Sequence, residues 1–446
     1  MSSLGYLTVL RLIESRPGWT VERLFLDSAL TPLRTLETDR TGRCFSVVGL
    51  SVGYELQLPA VAQLLRQMHI EPLAEKRQRQ NPADAHGGKA SPAQLVVAGG
   101  PLTRINPRPL GAMADVCVVG DAETALLELL EILEQGGSRH SILETLSARP
   151  GFYVPGVHGN HPPQPLRAPR NRLPARASIW TPSAEFSDMF LIEACRGCNM
   201  ACRFCAMRKS LSGGAHFVSA KQVCAHVPQD ITRVGLVGAE IGHHPELTPL
   251  LERLVARGLQ VGVSSVRVDK LDRRTVDLLV QGGLRTLTIA ADGASQRVRD
   301  GLRKGITAVQ LVEAARLAGA AGVQRLKLYQ LLGADGETDA DRAEMIALCL
   351  EMSRHVKLEL ALSVLVPKPN TPLAEHPIAS TRFLRTQLKN IQKDLRGRVA
   401  LKAPNVRGAA LEWRLAHGDL AAGRAVVTAV EKGGGYGQLN RCLNPG

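Results

Sequence analysis

The chain has few aromatic residues, 4% of its 446, and nowhere holds the uninterrupted apolar run of about 18 residues that a membrane-crossing helix needs. Its start, Met1 to Leu10, lacks the basic cluster and long apolar stretch of a secretory signal. The expectations are a cytoplasmic protein and no membrane partner. Nine cysteines are too few and too unevenly spread for a disulfide framework, and four of them fall between Cys195 and Cys205, a clustering that points to metal. The net charge of +14 raises nucleic acid as a partner, because Lys and Arg neutralise phosphates. The arginines are scattered, however, and no recognised motif interleaves them with aromatics, so nucleic acid is kept as an alternative and not favoured.

The length fits two or three domains. Short apolar runs at CFSVVGL (44–50), QLVVAGG (94–100) and Val116 to Val119 alternate with helix-like segments at Ala60 to His69 and Ala122 to Gln135. An α/β fold follows, with a doubly wound, Rossmann-like first domain over 1–155. The polar stretch 75–92 reads as a surface loop, and the basic, proline-rich stretch 160–176 marks a boundary within a linker at 156–185. Strands are then expected at MFLIEA, RVGLVGA, LQVGVSS, TLTIAA, RLKLYQLLG and LELALSVLV, with amphipathic stretches such as Val309 to Ala318 between them. Six such units predict a partial (β/α)6 barrel over 186–380. Residues 381–446 read as a small C-terminal helical cap.

The segment EACRGCNMACRFCAMRKS spaces Cys198, Cys202 and Cys205 as C-x3-C-x2-C. Three thiolates can hold three corners of a [4Fe-4S] cluster and leave the fourth iron without a protein ligand. S-adenosylmethionine (SAM) can chelate that iron, and an electron from the cluster can cleave it to methionine and a 5′-deoxyadenosyl radical. Cys195 adds a fourth thiol, which leaves a zinc site and a fully ligated electron-transfer cluster as alternatives.

With RGC at 196–198 and RFCA at 203–206, this loop resembles the radical SAM superfamily, and its flanks are most similar to the branch with an N-terminal cobalamin-binding domain. The resemblance implies a [4Fe-4S] cluster on the three cysteines and SAM bound by residues further along the chain. Gly238 and Glu240 stand where the family has Gly-Gly-Glu, with Ala239 departing from it; Phe204 follows the second cluster cysteine. Ser264 and Arg267 resemble a Ser-Leu-Arg turn, Asp292 replaces a usual Glu, and Gly333 resembles a glycine that closes over adenine. Ordinary packing or surface roles compete at each, including a helix cap at Thr338 or Asp339 completed by Asp341 or Glu344. VPKPNTPL (366–373) resembles a loop at the barrel mouth, with Lys368 toward the site.

Cobalamin is the third implied cofactor, with Tyr54, Glu55, Gly99, Gly100 and Glu123 as its candidate contacts. The Asp-x-His-x-x-Gly cobalt-ligand motif is missing, and Ser51-Val52-Gly53-Tyr54-Glu55 stands in its place. The resemblance therefore implies, as the leading reading, methyl transfer to an unactivated carbon through cobalamin without a protein histidine, and as the alternative another radical reaction such as cyclisation, rearrangement or RNA modification with a cobalamin-free first domain. Met200, Phe204 and Tyr329 are candidate pocket walls. The implied partners are a small-molecule or peptide substrate and an electron donor such as flavodoxin or ferredoxin. The catalytic residues and the substrate are not legible.

Overall fold

The computed structural model describes residues 3–26, 33–79 and 94–444. They form two units, one of Gly5–Arg172 with Leu411–Gly446 and the other centred on Leu173–Ala410.

In the first unit, β1 (Val47–Ser51), β2 (Leu95–Gly99) and β3 (Val116–Val118) are parallel, and β4 (Phe152–Tyr153) closes the sheet antiparallel to β3. These strands read as continuous apolar runs because helices cover both faces. Val48, Leu50, Val96 and Ala98 pack with Leu58, Val61 and Leu65 of the helix Leu58–Gln67, while Leu95, Val97, Val116 and Val118 pack with Leu126, Leu129 and Leu130 of the helix Ala122–Gln135. Asp115 anchors the sheet from within: fully buried, it pairs with Arg77 at 2.9 Å and with Arg139, and accepts from the Val96 backbone N–H at 2.7 Å.

The strand order β1-β2-β3-β4 corrects the doubly wound expectation. A doubly wound sheet reverses its strand order and opens a crevice at the reversal. Here each described strand lies beside its predecessor, so the sheet has no switch point. Apolar periodicity reports alternation of elements and not their spatial order, which is why the sequence did not reveal this.

The expected cap is divided as well. The helix Thr381–Leu395 and β12 (Ala400–Lys402) belong to the second unit, whereas Leu411, Leu415, Val426 and Val427 enter the core of the first. Of the expected loop at 75–92, residues 75–79 lie in the helix Ala74–Arg79 and 80–92 are outside the described residues. The proline-rich stretch is partly ordered onto the first unit, where Leu166 exchanges backbone hydrogen bonds with Val119 and Asp121.

The second unit carries β5 (Phe190–Arg196), β6 (His216–Phe217), β7 (Arg233–Gly238), β8 (Gln260–Val263), β9 (Thr286–Ala290), β10 (Arg325–Leu332), β11 (Leu358–Val364) and β12. Two four-stranded sheets, β6-β5-β7-β8 and β12-β11-β10-β9, are linked by a parallel bridge between Val266 and Ile289. All six expected strands are present; β6 and β12 had too few residues to show a period. Along β10, Leu326, Leu328, Gln330 and Leu332 are buried, whereas Arg325, Lys327, Tyr329 and Leu331 lie on the more open side. Thr338 caps the helix Asp339–Ser353, and Asp341 completes its capping box.

Candidate functional site

The cysteine loop leaves the end of β5 and is held by its backbone. Gly197 has φ +77°, and an added Cβ would collide with the carbonyl of Gly214, so only glycine fits there. The Cys198 N–H donates to Ser212 Oγ at 3.1 Å, and Ser212 Oγ–H donates back to the Cys198 carbonyl at 3.2 Å. Cys198 and Cys202 are buried, Cys205 is half-buried, and all three are free thiols. Backbone N–H groups of Met200 and Met207 donate to the sulfurs of Cys198 and Cys205, each at 3.4 Å.

Burial pushes the Cys198 thiol up to about 11 and raises Cys202 and Cys205, with Lys304 opposing it at both of the latter. Thiolates buried in this way need a cation bound to them. Among the described residues no three or more His, Cys, Asp or Glu side chains converge on a point where a single metal ion would sit. A cluster takes one thiolate at each iron corner and does not require such convergence. Three free thiols, two buried and one half-buried, two of them accepting N–H bonds, with Lys304 and Arg267 lowering Cys202, fit an iron–sulfur cluster. Cys195 is 2% exposed, is pushed up to about 12 by burial, and its thiol donates to the Gly197 carbonyl at 3.8 Å.

At the end of β7, Gly238 is required for close packing, since a Cβ there would lie 2.8 Å from the Cys195 Cβ. Glu240 is 2% exposed and fully engaged: Oε2 accepts from the Asn199 N–H at 2.6 Å, inside the cysteine loop, and Oε1 faces His243 Nδ1 at 2.8 Å. His243 Nε2 meets Asp269 Oδ2 at 3.0 Å, and Asp269 Oδ1 accepts from Arg267 Nε at 3.1 Å. Arg267 also donates to the Lys304 carbonyl at 3.1 Å, and Lys304 Nζ donates to Asp292 Oδ2 at 2.5 Å. Burial raises Asp269, but Arg267 and His243 together hold it below the usual carboxylate range.

The structure thus joins three of the expected SAM contacts, Glu240, Arg267 and Asp292, in one chain of polar groups through His243, Asp269 and Lys304. Those three linking residues were missed. A Glu-x-x-His pair on a short turn was the only local signal, and the link to Asp269 is tertiary. Ser264 is exposed and donates to the Gly238 carbonyl at 3.2 Å.

Phe204 and Gly333 meet a different part of the site. Phe204 packs against Val298, Leu302, Ala334, Leu365 and Leu373, all five of which also wall a cavity of about 140 Å³ with Gly333, Arg203, Arg297 and His376. Gly333 has φ +90°, and its N–H donates to Glu337 Oε2 at 2.7 Å. Tyr329 is exposed under the Lys327 ammonium, 5.0 Å from the ring centroid. Met200 is half-buried on the loop, and Lys368 engages other groups through its own contacts.

The expected cobalamin contacts do not form a cradle. Glu55 and Glu123 are 1% and 5% exposed, turned into the fold. Gly100 is approached by the Val52 backbone, whose oxygen would stand 2.5 Å from an added Cβ, and Gly99 accepts from the Val52 N–H at 2.9 Å. Leu166 packs over Gly120 in the same way at the neighbouring strand end. Only Tyr54 is exposed. A cavity in this unit, about 100 Å³ between Ala74, Gly111, Gly156 and Arg424, includes none of the five.

Comparison with known proteins agrees with the cysteine loop. Residues 192–349 match the radical SAM superfamily, and residues 5–155 match the N-terminal family of radical SAM proteins. Both matched regions are those of radical SAM proteins, which supports that superfamily for this chain, and the superfamily implies a [4Fe-4S] cluster and SAM. An uncharacterized protein of Methanocaldococcus jannaschii is 26% identical over 346 residues, 74% of this chain and 72% of that protein. An uncharacterized methyltransferase of Pyrococcus horikoshii is 24% identical over 65% of this chain and 64% of its own length. Among solved structures, the cobalamin-dependent SAM radical enzyme OxsB with aqua-cobalamin and SAM bound aligns at a TM-score of 0.48 and 13% identity, covering 79% of this chain and 47% of that one. No helix among the described residues is long and apolar enough to cross a membrane.

Proposed function

We propose that this radical SAM enzyme holds its cluster on Cys198, Cys202 and Cys205, binds SAM between the β7 and β10 ends of the second unit, and abstracts hydrogen from its substrate without cobalamin. A cluster bound there supplies an iron open to SAM and the electron that cleaves it. The protein's own contribution is position. Glu240 fixes the Asn199 amide of the cysteine loop. The chain from His243 to Asp292 holds polar groups at successive strand ends, where the amino acid and ribose portions of SAM have partners. Phe204 and the apolar residues on one wall of the cavity beside Gly333 offer adenine a surface to pack against.

The observation that carries the cobalamin-free reading is the inward burial of Glu55 and Glu123, together with the backbone contacts that fill the space over Gly100 and Gly120. Methyl transfer is the second reading, favoured by the name of the Pyrococcus horikoshii relative. The test is anaerobic reconstitution with iron, sulfide and hydroxocobalamin, followed by assay of iron, corrinoid and SAM cleavage. SAM cleavage that needs Cys198 and proceeds with no retained corrinoid supports the proposal. Stoichiometric corrinoid that survives gel filtration overturns its cobalamin-free part, and cleavage that persists in Cys198→Ala overturns the cluster assignment.

A further inference from the structure

Although the basic residues are scattered along the chain, one helix carries a local row of them. Between 381 and 398, six basic residues stand against the single acid Asp394. Arg382, Arg385, Lys389 and Lys393 follow one another at i, i+3, i+7 and i+11 along the helix Thr381–Leu395, so they share a face, and Arg396 and Arg398 continue it. All six are exposed. Asp394 does not neutralise the row: its carboxylate lies 3.7 Å from Arg342, and Arg398 donates to its backbone carbonyl. The first four cations span about 16 Å at the helical rise per residue.

The other face of the helix is fixed in the domain. Leu384, Ile391 and Leu395 are each at most 1% exposed, and Gln387 bonds Asp339 and Arg342. The apolar side is therefore not free to enter a lipid surface. No exposed large aromatic lies on the helix, so the stacking platform for unpaired bases is missing. What remains is a rigid row of point charges suited to a phosphate backbone. The N-terminal end of this row lies at the candidate site: Leu384 packs on Gly333, which walls the cavity shared with Arg203, Arg297 and His376.

We propose that this face binds the phosphodiester backbone of a structured, base-paired nucleic acid and leads it toward the cavity, making such a nucleic acid the substrate class. The substrate assignment rests on the radical SAM reading above; the binding does not. The test uses the full-length protein with a labelled 20-base-pair RNA duplex and the DNA duplex of the same sequence, with affinity measured from about 50 to 200 mM salt. The comparison variant is Arg382→Gln/Arg385→Gln/Lys389→Gln, checked for unchanged circular dichroism. Wild type is expected to bind one or both duplexes, and the variant to lose about three from the slope of log affinity against log salt. Tighter binding of one duplex identifies RNA or DNA as the source. An unchanged slope in the variant overturns the proposal, as does equal competition by poly-glutamate, which would mark a surface for acidic protein. Cys198→Ala is expected to bind duplex like wild type, so a failure of binding and a failure of the cluster assignment are separately visible.

Discussion

Glu240→Ala is the most informative perturbation, because one buried carboxylate ties the cysteine loop to the polar chain beneath it. Its removal strands the Asn199 N–H and one nitrogen of His243 in a site where Glu240 itself is 2% exposed. Each buried group left without its hydrogen-bond partner costs about 1–3 kcal/mol, and Glu240→Ala leaves two. His243→Ala costs less, about 1–3 kcal/mol, because Asp269 retains Arg267 and Glu240 retains Asn199. The two changes act on one network, so the double variant is expected to fall short of the sum by about 1–3 kcal/mol. A chain of two units need not unfold in one step. The assay is therefore hydrogen exchange by mass spectrometry on metal-free protein, read at the peptide containing Asn199, alongside urea unfolding. Additivity within about 0.5 kcal/mol, with unchanged exchange at Asn199, would refute the argument that Glu240 and His243 hold the loop as a unit.

Three further outcomes are expected. Gly197→Ala puts a Cβ against the Gly214 carbonyl at a φ of +77°, so iron retained per chain after reconstitution should drop severalfold while the first unit keeps its exchange protection; full iron loading would contradict the backbone reading of the loop. Asp115→Ala leaves Arg77 and Arg139 buried without their shared carboxylate, and urea unfolding of the first unit should show a loss of about 3–5 kcal/mol, a loss under about 1 kcal/mol being incompatible with that buried triad. Glu134 is held down at about 2 by hydrogen bonds from Arg16 and then Trp19. Its contribution is complete above the ordinary value of 4.5 and fades as pH falls toward 2. In Arg16→Ala the carboxyl should titrate markedly closer to 4.5 by NMR, and an unmoved midpoint would show that Arg16 is not its partner.

The candidate cluster ligands were legible in the sequence from local spacing. Cys198, Cys202 and Cys205 sit on one loop, where a short spacing is itself the geometry, and residues 192–349 match the superfamily that this spacing suggested. The six longer strands of the second unit were legible for the same kind of reason, since a strand buried against helices announces itself as an apolar run. Asp341 at Thr338 followed from a three-residue capping pattern.

Tertiary structure alone decided the rest. A strand's place in its sheet depends on which neighbour it pairs with, and no local period encodes that, so the sequential order of the first sheet could not be read from its runs. Glu55 and Glu123 stood as candidate cobalamin contacts through the resemblance alone; the packed fold buries them. Leu411 to Val427 looked like an appendage because they are last in the chain, yet a hydrophobic face joins whichever core accepts it. The route from Glu240 through His243 to Asp269 links residues on separate loops, and only the packing of strand ends brings those loops within hydrogen-bond reach.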